Sequence, residues 1–407
     1  MHDVLKPKTE ADAAEIVRQF YQEGKSLEIS GGNTRPGFGQ PVKADQKLSS
    51  RSLSGIVSYN PSEMVMTAKA GTPLAEIDLA LSENGQYLAF EPMDHRGIMG
   101  SYGDPTIGGV FAANVSGPRR FSLAGAARDH LLGVRFINGK GEIVRSGGRV
   151  MKNVTGLDLV KLMAGSYGTL GFMSEVTFKV LPAPKAAATV VLSNLSDEDA
   201  VKVMAAVMAL PVEVSGAAHM PYSVIHRMLN GLLEGGAATC FRLEGLSESV
   251  VVRRDKLRDF LSEFGSVSVL AEDETRALWQ AIRDVSPYSE NHQTCLWRVS
   301  IAPSAGAALL SDMRLVAAVD AFYDWQGGLI WMALEGDAEA EALRRLIRKH
   351  GGGHATLLRA PETVRSVTAC FEPQPSPVAA LSNRIKATFD PKGILNPGKM
   401  DKQETAA

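Results

Sequence analysis

Near the start of the chain, apolar and polar residues follow the pattern of a helix and then of strands. Apolar residues recur at helical spacing between positions 16 and 21, after Thr9-Glu10-Ala11-Asp12, which resembles a capping box. Gly24 is expected to end this helix. Residues 27–30 and 64–70 are predicted as strands. The expected order is therefore helix, strand, loop, strand.

The same alternation continues to residue 180. A second helix is predicted from Thr72-Pro73 to Gly85, because proline suits the first turn of a helix. Two apolar runs between residues 131 and 146 flank Asn138-Gly139-Lys140-Gly141, which is a strong hairpin signal. Alternation over residues 175–180 predicts a further strand. The first part of the chain is expected to be α+β.

The amino-acid composition changes after Leu181-Pro182-Ala183-Pro184. Long alanine-rich stretches with scattered charged residues follow, and frequent glycine and proline residues return between residues 389 and 400. We therefore predict one domain over 1–182, a second over 183–385, and a C-terminal segment over 386–407.

Charge and composition exclude several classes of function. The 407 residues carry a formal net charge of −2, which gives no basic footprint for nucleic acid. No apolar stretch approaches 18 residues and the first ten residues have no apolar core, so we expect a cytoplasmic protein that meets a membrane only peripherally, through partners. Cys240, Cys295 and Cys370 are widely spaced and are predicted to be buried thiols.

Three glycine-rich loops carry the chemical signal. They are Gly31-Gly32-Asn33-Thr34-Arg35-Pro36-Gly37 after the first strand, the segment 104–117, and the segment 165–173 before the strand at 175. Glycine permits positive φ and exposes backbone N–H groups to an electron-rich ligand. No strand–GxGxxG–helix unit with a following acid is present, so this is not a Rossmann arrangement. A large ligand with phosphates is predicted.

These three loops together resemble the FAD-binding domain of the vanillyl-alcohol oxidase and p-cresol methylhydroxylase (PCMH) superfamily. The resemblance covers about residues 1–182 and Asn396-Pro397-Gly398. It implies an α+β fold with a two-subdomain PCMH-type FAD-binding domain, followed by an α+β cap domain with an antiparallel sheet.

The resemblance also implies which residues contact FAD. They are Ser30, Gly31, Gly32, Asn33, Thr34, Pro105, Thr106, Gly108, Gly109, Ser116, Gly117, Gly165, Ser166, Gly168, Thr169, Gly171 and Met173. Some relatives attach the flavin covalently through a histidine after the paired glycines, where this chain has Asn33. Non-covalent FAD is therefore expected.

The second half resembles the cap domain of FAD-linked oxidases that act on 2-hydroxy acids. Several of these hold a divalent metal with paired histidines and a later Gly-Glu-His-Gly motif. Here the first motif is replaced by residues 327–332 and the second by Gly353-His354, so no metal is expected. Catalytic relatives carry an arginine three residues after a tryptophan, whereas Arg298 directly follows Trp297 and Ser300 occupies that position. His354 and Arg298 are the candidate catalytic residues.

The segments 91–94, 116–120 and 353–359 are similar to the family of the smaller FAD-binding subunit of bacterial glycolate oxidase. This resemblance implies a subunit of a complex that oxidises glycolate or other small 2-hydroxy acids to 2-oxo acids, at the inner face of the cytoplasmic membrane or free in the cytoplasm. The implied partners are a larger FAD-containing subunit and an iron–sulfur subunit, and the chain's own flavin is expected to be accessory or to relay electrons. A stand-alone FAD-dependent D-2-hydroxyacid (D-lactate) dehydrogenase and a non-catalytic flavoprotein scaffold are the alternatives.

Several charged residues allow two interpretations. His354 is either near the substrate or on a solvent-facing loop, and Arg298 and Arg359 either bind a carboxylate or form ordinary surface or ion-pair contacts. A basic set forms either a solvated face or a docking surface for an acidic partner. Its members are Arg119, Arg120, Arg128, Arg135, Arg145, Arg149 and Lys152.

Overall fold

The computed structural model describes residues 4–401 except residues 123, 149–156, 232, 234 and 235. Arg149 and Lys152 of the basic set lie outside the described residues. The α-helices are α1 Glu10–Glu23, α2 Leu74–Ser82, α3 Arg96–Met99, α4 Ile107–Ala113, α5 Ala127–His130, α6 Leu159–Met163, α7 Asp197–Met208, α8 Tyr222–Ile225, α9 Ser247–Leu261, α10 Glu272–Arg283, α11 Gly306–Arg314, α12 Ala340–Lys349, α13 Glu362–Val367 and α14 Ser376–Phe389.

The strands form two large sheets and two small ones. The strands are β1 Leu27–Ser30, β2 Gln46–Ser49, β3 Ile56–Asn60, β4 Val65–Lys69, β5 Gln86–Tyr87, β6 Leu131–Ile137, β7 Ile143–Gly147, β8 Phe172–Lys179, β9 Leu181–Pro182, β10 Ala186–Ser193, β11 Gly216–Met220, β12 Ala238–Gly245, β13 Val267–Leu270, β14 Cys295–Ile301, β15 Val319–Asp324, β16 Leu329–Leu334 and β17 Gly353–Arg359. A five-stranded antiparallel sheet has the order β3-β4-β8-β6-β7, and an eight-stranded one has the order β13-β10-β12-β11-β15-β16-β14-β17.

Local chemistry explains the ends of the first elements. The Thr9 hydroxyl accepts the amide of Asp12 and the Asp12 carboxylate accepts the amide of Thr9, so α1 begins with the predicted capping box. Gly24 ends it at φ +67°. The predicted hairpin at Asn138 also forms, between β6 and β7. The α+β class is confirmed.

The bounds of α2 and β8 differ from those predicted, and residues 327–332 lead into a strand that was not predicted. Helix α2 ends at Ser82, three positions before Gly85, and β8 begins at Phe172 rather than at residue 175. The stretch at residues 327–332, noted only as a lost motif, leads into β16, a strand buried along its whole length between β15 and β14. Its all-apolar composition is typical of a strand covered on both faces.

The eight-stranded sheet separates two cores. Alternate residues of β14 point to opposite faces, so that Trp297 and Val299 pack with α11 and α12 on one side. Leu296 points to the other side and joins the core that continues into the five-stranded sheet, together with Trp331 of β16 and Phe322 of β15. This shared core places the inner face of the larger sheet against the glycine loops.

A buried ion cluster links the segment before α3 to the eight-stranded sheet. Glu91 accepts from Arg242 of β12 at 2.8 Å and pairs with Arg119 at 2.8 Å, while Glu244 pairs with both arginines at 3.2 and 2.5 Å. All four side chains are at most 13% exposed. Although burial raises the pKa of Glu244, the two arginines bring it down to about 2. Arg119 therefore belongs to this interior cluster, and the docking-surface interpretation is wrong for it.

Replacing Arg242 by leucine should lower the free energy of unfolding by about 3–5 kcal/mol, because Glu91 and Glu244 would stay buried with one cation between them. Denaturant unfolding measures this loss. The control is Arg258→Leu, which breaks an exposed pair with Asp259 and should change stability by about 0.5 kcal/mol or less. Equal stability of the two variants would contradict the assigned role of the cluster.

Candidate functional site

The three glycine-rich segments meet around one groove, and residues 107–113 of the second segment form helix α4 rather than a loop. Eleven of the seventeen predicted FAD contacts line the groove. They are Ser30, Gly31, Gly32, Asn33, Thr34, Thr106, Gly108, Gly109, Gly168, Gly171 and Met173. The structure thus brings residues from three distant parts of the chain to one surface.

Four of the other predicted residues build the walls behind the groove. The Ser166 and Thr169 hydroxyls donate to the carbonyls of Met163 and Ser166 at 2.8 and 2.7 Å, which closes the turn of that loop. The carbonyl of Pro105 accepts the amide of Leu74 at 2.9 Å, and Gly165 donates its amide to Phe111 at 3.0 Å. These groups form hydrogen bonds within the protein, and the four residues do not line the groove.

Ser116 and Gly117 do not line the groove, and Gly117 contacts the second half of the chain. The Ser116 hydroxyl accepts the amide of Ala127 at 2.9 Å within its own half. The Gly117 carbonyl accepts the indole N–H of Trp325 at 3.1 Å, and a Cβ at Gly117 would lie 3.1 Å from Cγ of Arg283 in the second half. Gly117 is thus needed for close packing between the two halves of the chain.

Gly31 and Gly32 are required where two loops cross. A Cβ at Gly32 would lie 1.6 Å from the carbonyl oxygen of Asp104, and a Cβ at Gly103 would lie 1.6 Å from the carbonyl oxygen of Gly32. A Cβ at Gly31 would lie 2.4 Å from Thr106 Oγ1. The sequence interpretation assigned these glycines to ligand approach, whereas the structure shows that approach of backbone to backbone already demands them.

The first loop presents five consecutive backbone donors. None of the residues that the structure describes accepts a hydrogen bond from the amides of residues 31–35. Backbone N–H groups in folded proteins are nearly always paired, so such a run needs acceptors from solvent or from a ligand. Successive free amides form a nest that suits a phosphate.

Two cationic side chains add to this electropositive groove. Arg35 donates from Nη1 to the Gly109 carbonyl at 2.7 Å, and its buried Nε has no partner among the described residues. Burial lowers the pKa of Arg35 to about 10 and that of Lys399 to about 8. Lys399 lines the groove and pairs with no carboxylate in the described part of the chain. Both cations can neutralise an anionic group.

The end of the described chain closes the groove. The Asn396 side chain accepts the amide of Ile29 and donates to the Tyr167 carbonyl, both at 2.7 Å. The Lys386 ammonium donates to the Thr169 carbonyl at 2.6 Å. These contacts tie β1 to the loop at residues 165–171. The ring of Tyr167 stacks on Phe38 at 5.2 Å and gives the groove an aromatic wall.

The candidate catalytic residues lie near each other on the inner face of the cap sheet. Arg298 is half-buried on β14 with its Cζ 4.9 Å from the ring centre of Trp325, and burial lowers its pKa to about 10. His354 is an exposed side chain at the start of β17, opposite Ser300 of β14, so it faces solvent as one interpretation had it but lies on a strand rather than in a loop. Partial desolvation and the guanidiniums of Arg298 and Arg120 lower the pKa of His354.

Arg359, the other carboxylate-binding candidate, has an internal role. It is buried and donates to the carbonyls of Ile98 and Tyr288 at 2.7 Å each and to the Thr294 hydroxyl at 2.8 Å. These acceptors occupy its guanidinium. Arg359 therefore joins segments of the fold and is unsuited to bind a ligand.

No helix in the described part of the chain is long and apolar enough to cross a bilayer. Likewise, no three His, Cys, Asp or Glu side chains within the described ranges are grouped so that they could hold a metal ion.

Four site residues escaped the sequence reasoning, namely Arg35, Tyr167, Lys399 and Trp325, and Arg120 was assigned only to the basic set. Arg35 and Tyr167 stand within the glycine loops, so a search for charge and aromatic character there would have found them. Lys399 follows the tail motif by one residue. Trp325 carried no local signal, because its contacts to two arginines depend on how the two halves pack.

Comparisons with known proteins agree with this geometry. A family model described as "FAD binding domain" matches residues 2–147, and one described as "FAD linked oxidases, C-terminal domain" matches residues 374–400. The chain is 34% identical over 386 residues to glycolate oxidase subunit GlcE of Escherichia coli (strain K12), which covers 95% of each chain. It is 24% identical over 389 residues to glycolate oxidase subunit GlcD of Bacillus subtilis (strain 168), covering 88% of this chain and 80% of the relative.

A solved structure extends the comparison. The 4-ethylphenol oxidase from Gulosibacter chungangensis superposes with a TM-score of 0.68 at 13% identity, over 98% of this chain and 88% of that one. At this identity the likeness shows the fold alone, which is the FAD-linked oxidase fold expected from the glycine loops.

Asp324 beside Trp325 should make stability depend on pH. Burial raises the pKa of this carboxyl to about 7, against 3.8 in an unfolded chain, although Arg242 and Arg298 act in the opposite direction. Between about pH 4 and pH 7 the folded protein keeps a proton that the unfolded chain has lost, so the free energy of unfolding falls as pH rises.

Asp324→Asn should remove this loss and gain stability over wild type by roughly 4 kcal/mol from pH 4 to pH 7. Denaturant unfolding at a series of pH values measures the difference, with the exposed Asp273→Asn as control. A difference that does not change with pH would show that Asp324 is ionised in the folded protein.

Proposed function

The chain belongs to the family of glycolate oxidase subunit GlcE, and we propose that it is the FAD-binding subunit of a glycolate oxidase complex. The reaction is oxidation of glycolate or related 2-hydroxy acids to 2-oxo acids. The protein is accordingly an FAD-dependent oxidoreductase acting on CH–OH groups, and bound FAD supplies the two-electron acceptor.

The observation that carries this proposal is the run of unpaired amides at residues 31–35. The diphosphate of FAD offers the acceptors that these donors lack, and Arg35 and Lys399 supply positive charge beside them. Tyr167 and Phe38 provide an aromatic wall for a flat ring. Asn33 has no group that attaches a flavin, so we propose that FAD is held without a covalent bond.

The groups around Trp325 would orient a substrate beside this groove. Arg298 is the candidate for binding a carboxylate, and the neutral form of His354 favoured by its surroundings can accept a proton. No metal takes part in the proposed site. We propose that the chain's own flavin serves mainly to relay electrons, because the metal motif of the catalytic relatives is replaced.

The complex is proposed to contain a larger FAD subunit and an iron–sulfur subunit, in the cytoplasm or at the inner face of its membrane. The match to both GlcE and GlcD families supports a multi-subunit assembly. One alternative is a stand-alone FAD-dependent D-2-hydroxyacid dehydrogenase. The cluster of Arg120, Arg298 and His354 beside the groove favours it, since it could orient a substrate without a partner.

FAD should co-purify and pass to the supernatant on acid precipitation. Lys399→Met should weaken FAD binding about tenfold, because it removes a positive charge that lines the groove without altering the glycine loops. Flavin content per chain, read from absorbance, measures this, and the exposed Lys202→Met on α7 is the control. Flavin that stays in the pellet would contradict non-covalent binding, and a chain without flavin would favour a scaffold.

Reconstitution of the complex tests whether the chain needs its partner subunits to oxidise glycolate. The isolated chain should reduce its flavin very slowly with glycolate, since positioning and electrostatic stabilisation each contribute several kcal/mol to catalysis. Co-expressed with the two partner subunits, it should co-purify and the complex should oxidise glycolate with an artificial acceptor. Rapid bleaching of the isolated chain's flavin would instead establish the stand-alone dehydrogenase.

A further inference from the structure

Two arginines from opposite halves of the chain meet at one tryptophan. Arg120 follows Gly117 in the FAD-binding half, and Arg298 stands on β14 of the cap sheet. Each guanidinium carbon lies 4.9 Å from the ring centre of Trp325. The indole N–H of Trp325 is used by the Gly117 carbonyl at 3.1 Å, which fixes the ring at the boundary between the halves.

Neither arginine has a counter-charge in the part of the chain that the structure describes. No carboxylate there lies within ion-pair distance of Arg120 or Arg298, and neither guanidinium donates a hydrogen bond to a described residue. Asp324 is the acid adjoining Trp325, but burial raises its pKa to about 7, which weakens it as a counter-ion. Half-buried like charges without a counter-ion are unfavourable, which points to an anion from outside the chain.

A buried N–H close to Arg298 also lacks an acceptor. Trp331 stands directly opposite Arg298 in the β14–β16 ladder, so the two side chains share the inner face of the sheet. Trp331 is 5% exposed, and its Nε1 has no hydrogen-bond partner among the described residues. The site therefore offers two cations and an unpaired donor, which is the complement of an acceptor-rich anion.

The cluster is distinct from the run of unpaired amides at residues 31–35 that suits a phosphate. Arg298 and Arg35 both act electrostatically on Tyr167 and on the buried His95, so the cluster adjoins the aromatic end of the groove. The unpaired amides of residues 31–35 already supply the donors for a diphosphate. Burial and the charge of Arg120 lower the pKa of Arg298, so the two cations interact, and a second, small anion is left for the cluster.

We propose that Arg120 and Arg298, which both contact the ring of Trp325, form a clamp for the carboxylate of a small 2-hydroxy or 2-oxo acid. Each half of the chain contributes one of the two arginines. The proposal rests on the proposed function for the identity of the acid. Planar guanidiniums bind carboxylates in a bidentate manner, and the ring holds both in place by cation–π contacts. Trp325 is thus a positioning residue.

The test is isothermal titration of glycolate, oxalate and glycolamide into the purified, FAD-containing chain. Glycolate and oxalate should bind and the uncharged glycolamide should not. Arg120→Gln and Arg298→Gln should each raise Kd about 10- to 100-fold, whereas Arg258→Gln, which removes a surface charge on α9, should change it less than about twofold. Arg→Lys at either position should recover part of the affinity and serves if a glutamine variant does not fold.

The positioning role of Trp325 is tested by replacing its ring with an aromatic or an aliphatic side chain. Trp325→Phe keeps an aromatic face and should retain most of the carboxylate affinity, while Trp325→Leu should lose as much as an arginine variant. If Trp325 had only a structural role, both variants would lose thermal stability to a similar extent. The Phe variant would then bind the carboxylate no more tightly than the Leu variant. Equal affinities of the Phe and Leu variants would overturn the positioning role.

The outcomes separate this proposal from the proposed function. If wild type carries FAD and its complex oxidises glycolate but the chain binds no carboxylate, the clamp is wrong and the proposed function stands. If the arginine variants lose FAD instead of carboxylate affinity, the arginines serve the cofactor phosphates and the clamp is again wrong. If the chain carries no FAD yet binds glycolate through both arginines, the clamp stands and the proposed function fails.

Discussion

The contact on which the site depends is a crossing of two backbone segments with no room for side chains. Gly32 lies against Gly103 and Asp104, and Gly31 lies against Thr106. This crossing holds the first loop so that five successive amides remain unpaired. Interiors are close-packed, and such an approach is possible only where Cβ atoms are absent. The donor array is therefore a by-product of packing between loops, and the ligand meets a surface that already exists.

Charge is distributed in opposite ways at two places where the two halves of the chain meet. At Glu91 and Glu244, two acids and two arginines neutralise one another and join the halves permanently. At Trp325, two arginines stand without acids in the described chain. Paired charges at such a boundary contribute to structure, whereas unpaired ones leave a requirement that a ligand can meet. The contact between the halves thus combines a neutralised ion cluster with two arginines that form no ion pair in the described part of the chain.

Elements with strong local signals were predictable from sequence. The capping box at Thr9 and the hairpin at Asn138 depend on neighbouring residues and form as predicted, whereas residues 107–113 of the second glycine-rich segment form helix α4. The loops also indicated the groove. Gly117 and Trp325 could not be assigned in this way, since their roles arise from a contact between residues more than two hundred positions apart. Arg119 was mistaken for a surface residue because its two acidic partners are remote in sequence.

Closure of the groove by Asn396 has a consequence for synthesis. The ribosome releases β1 and the loop at residues 165–171 early, but the side chain that joins them emerges only after all eight strands of the cap sheet. Domains fold largely in order of translation, so the amino-terminal half folds before the side chain that joins β1 to this loop has been made. Flavin uptake is then a late event in biogenesis, and a nascent chain stalled before residue 396 should leave the ribosome colourless.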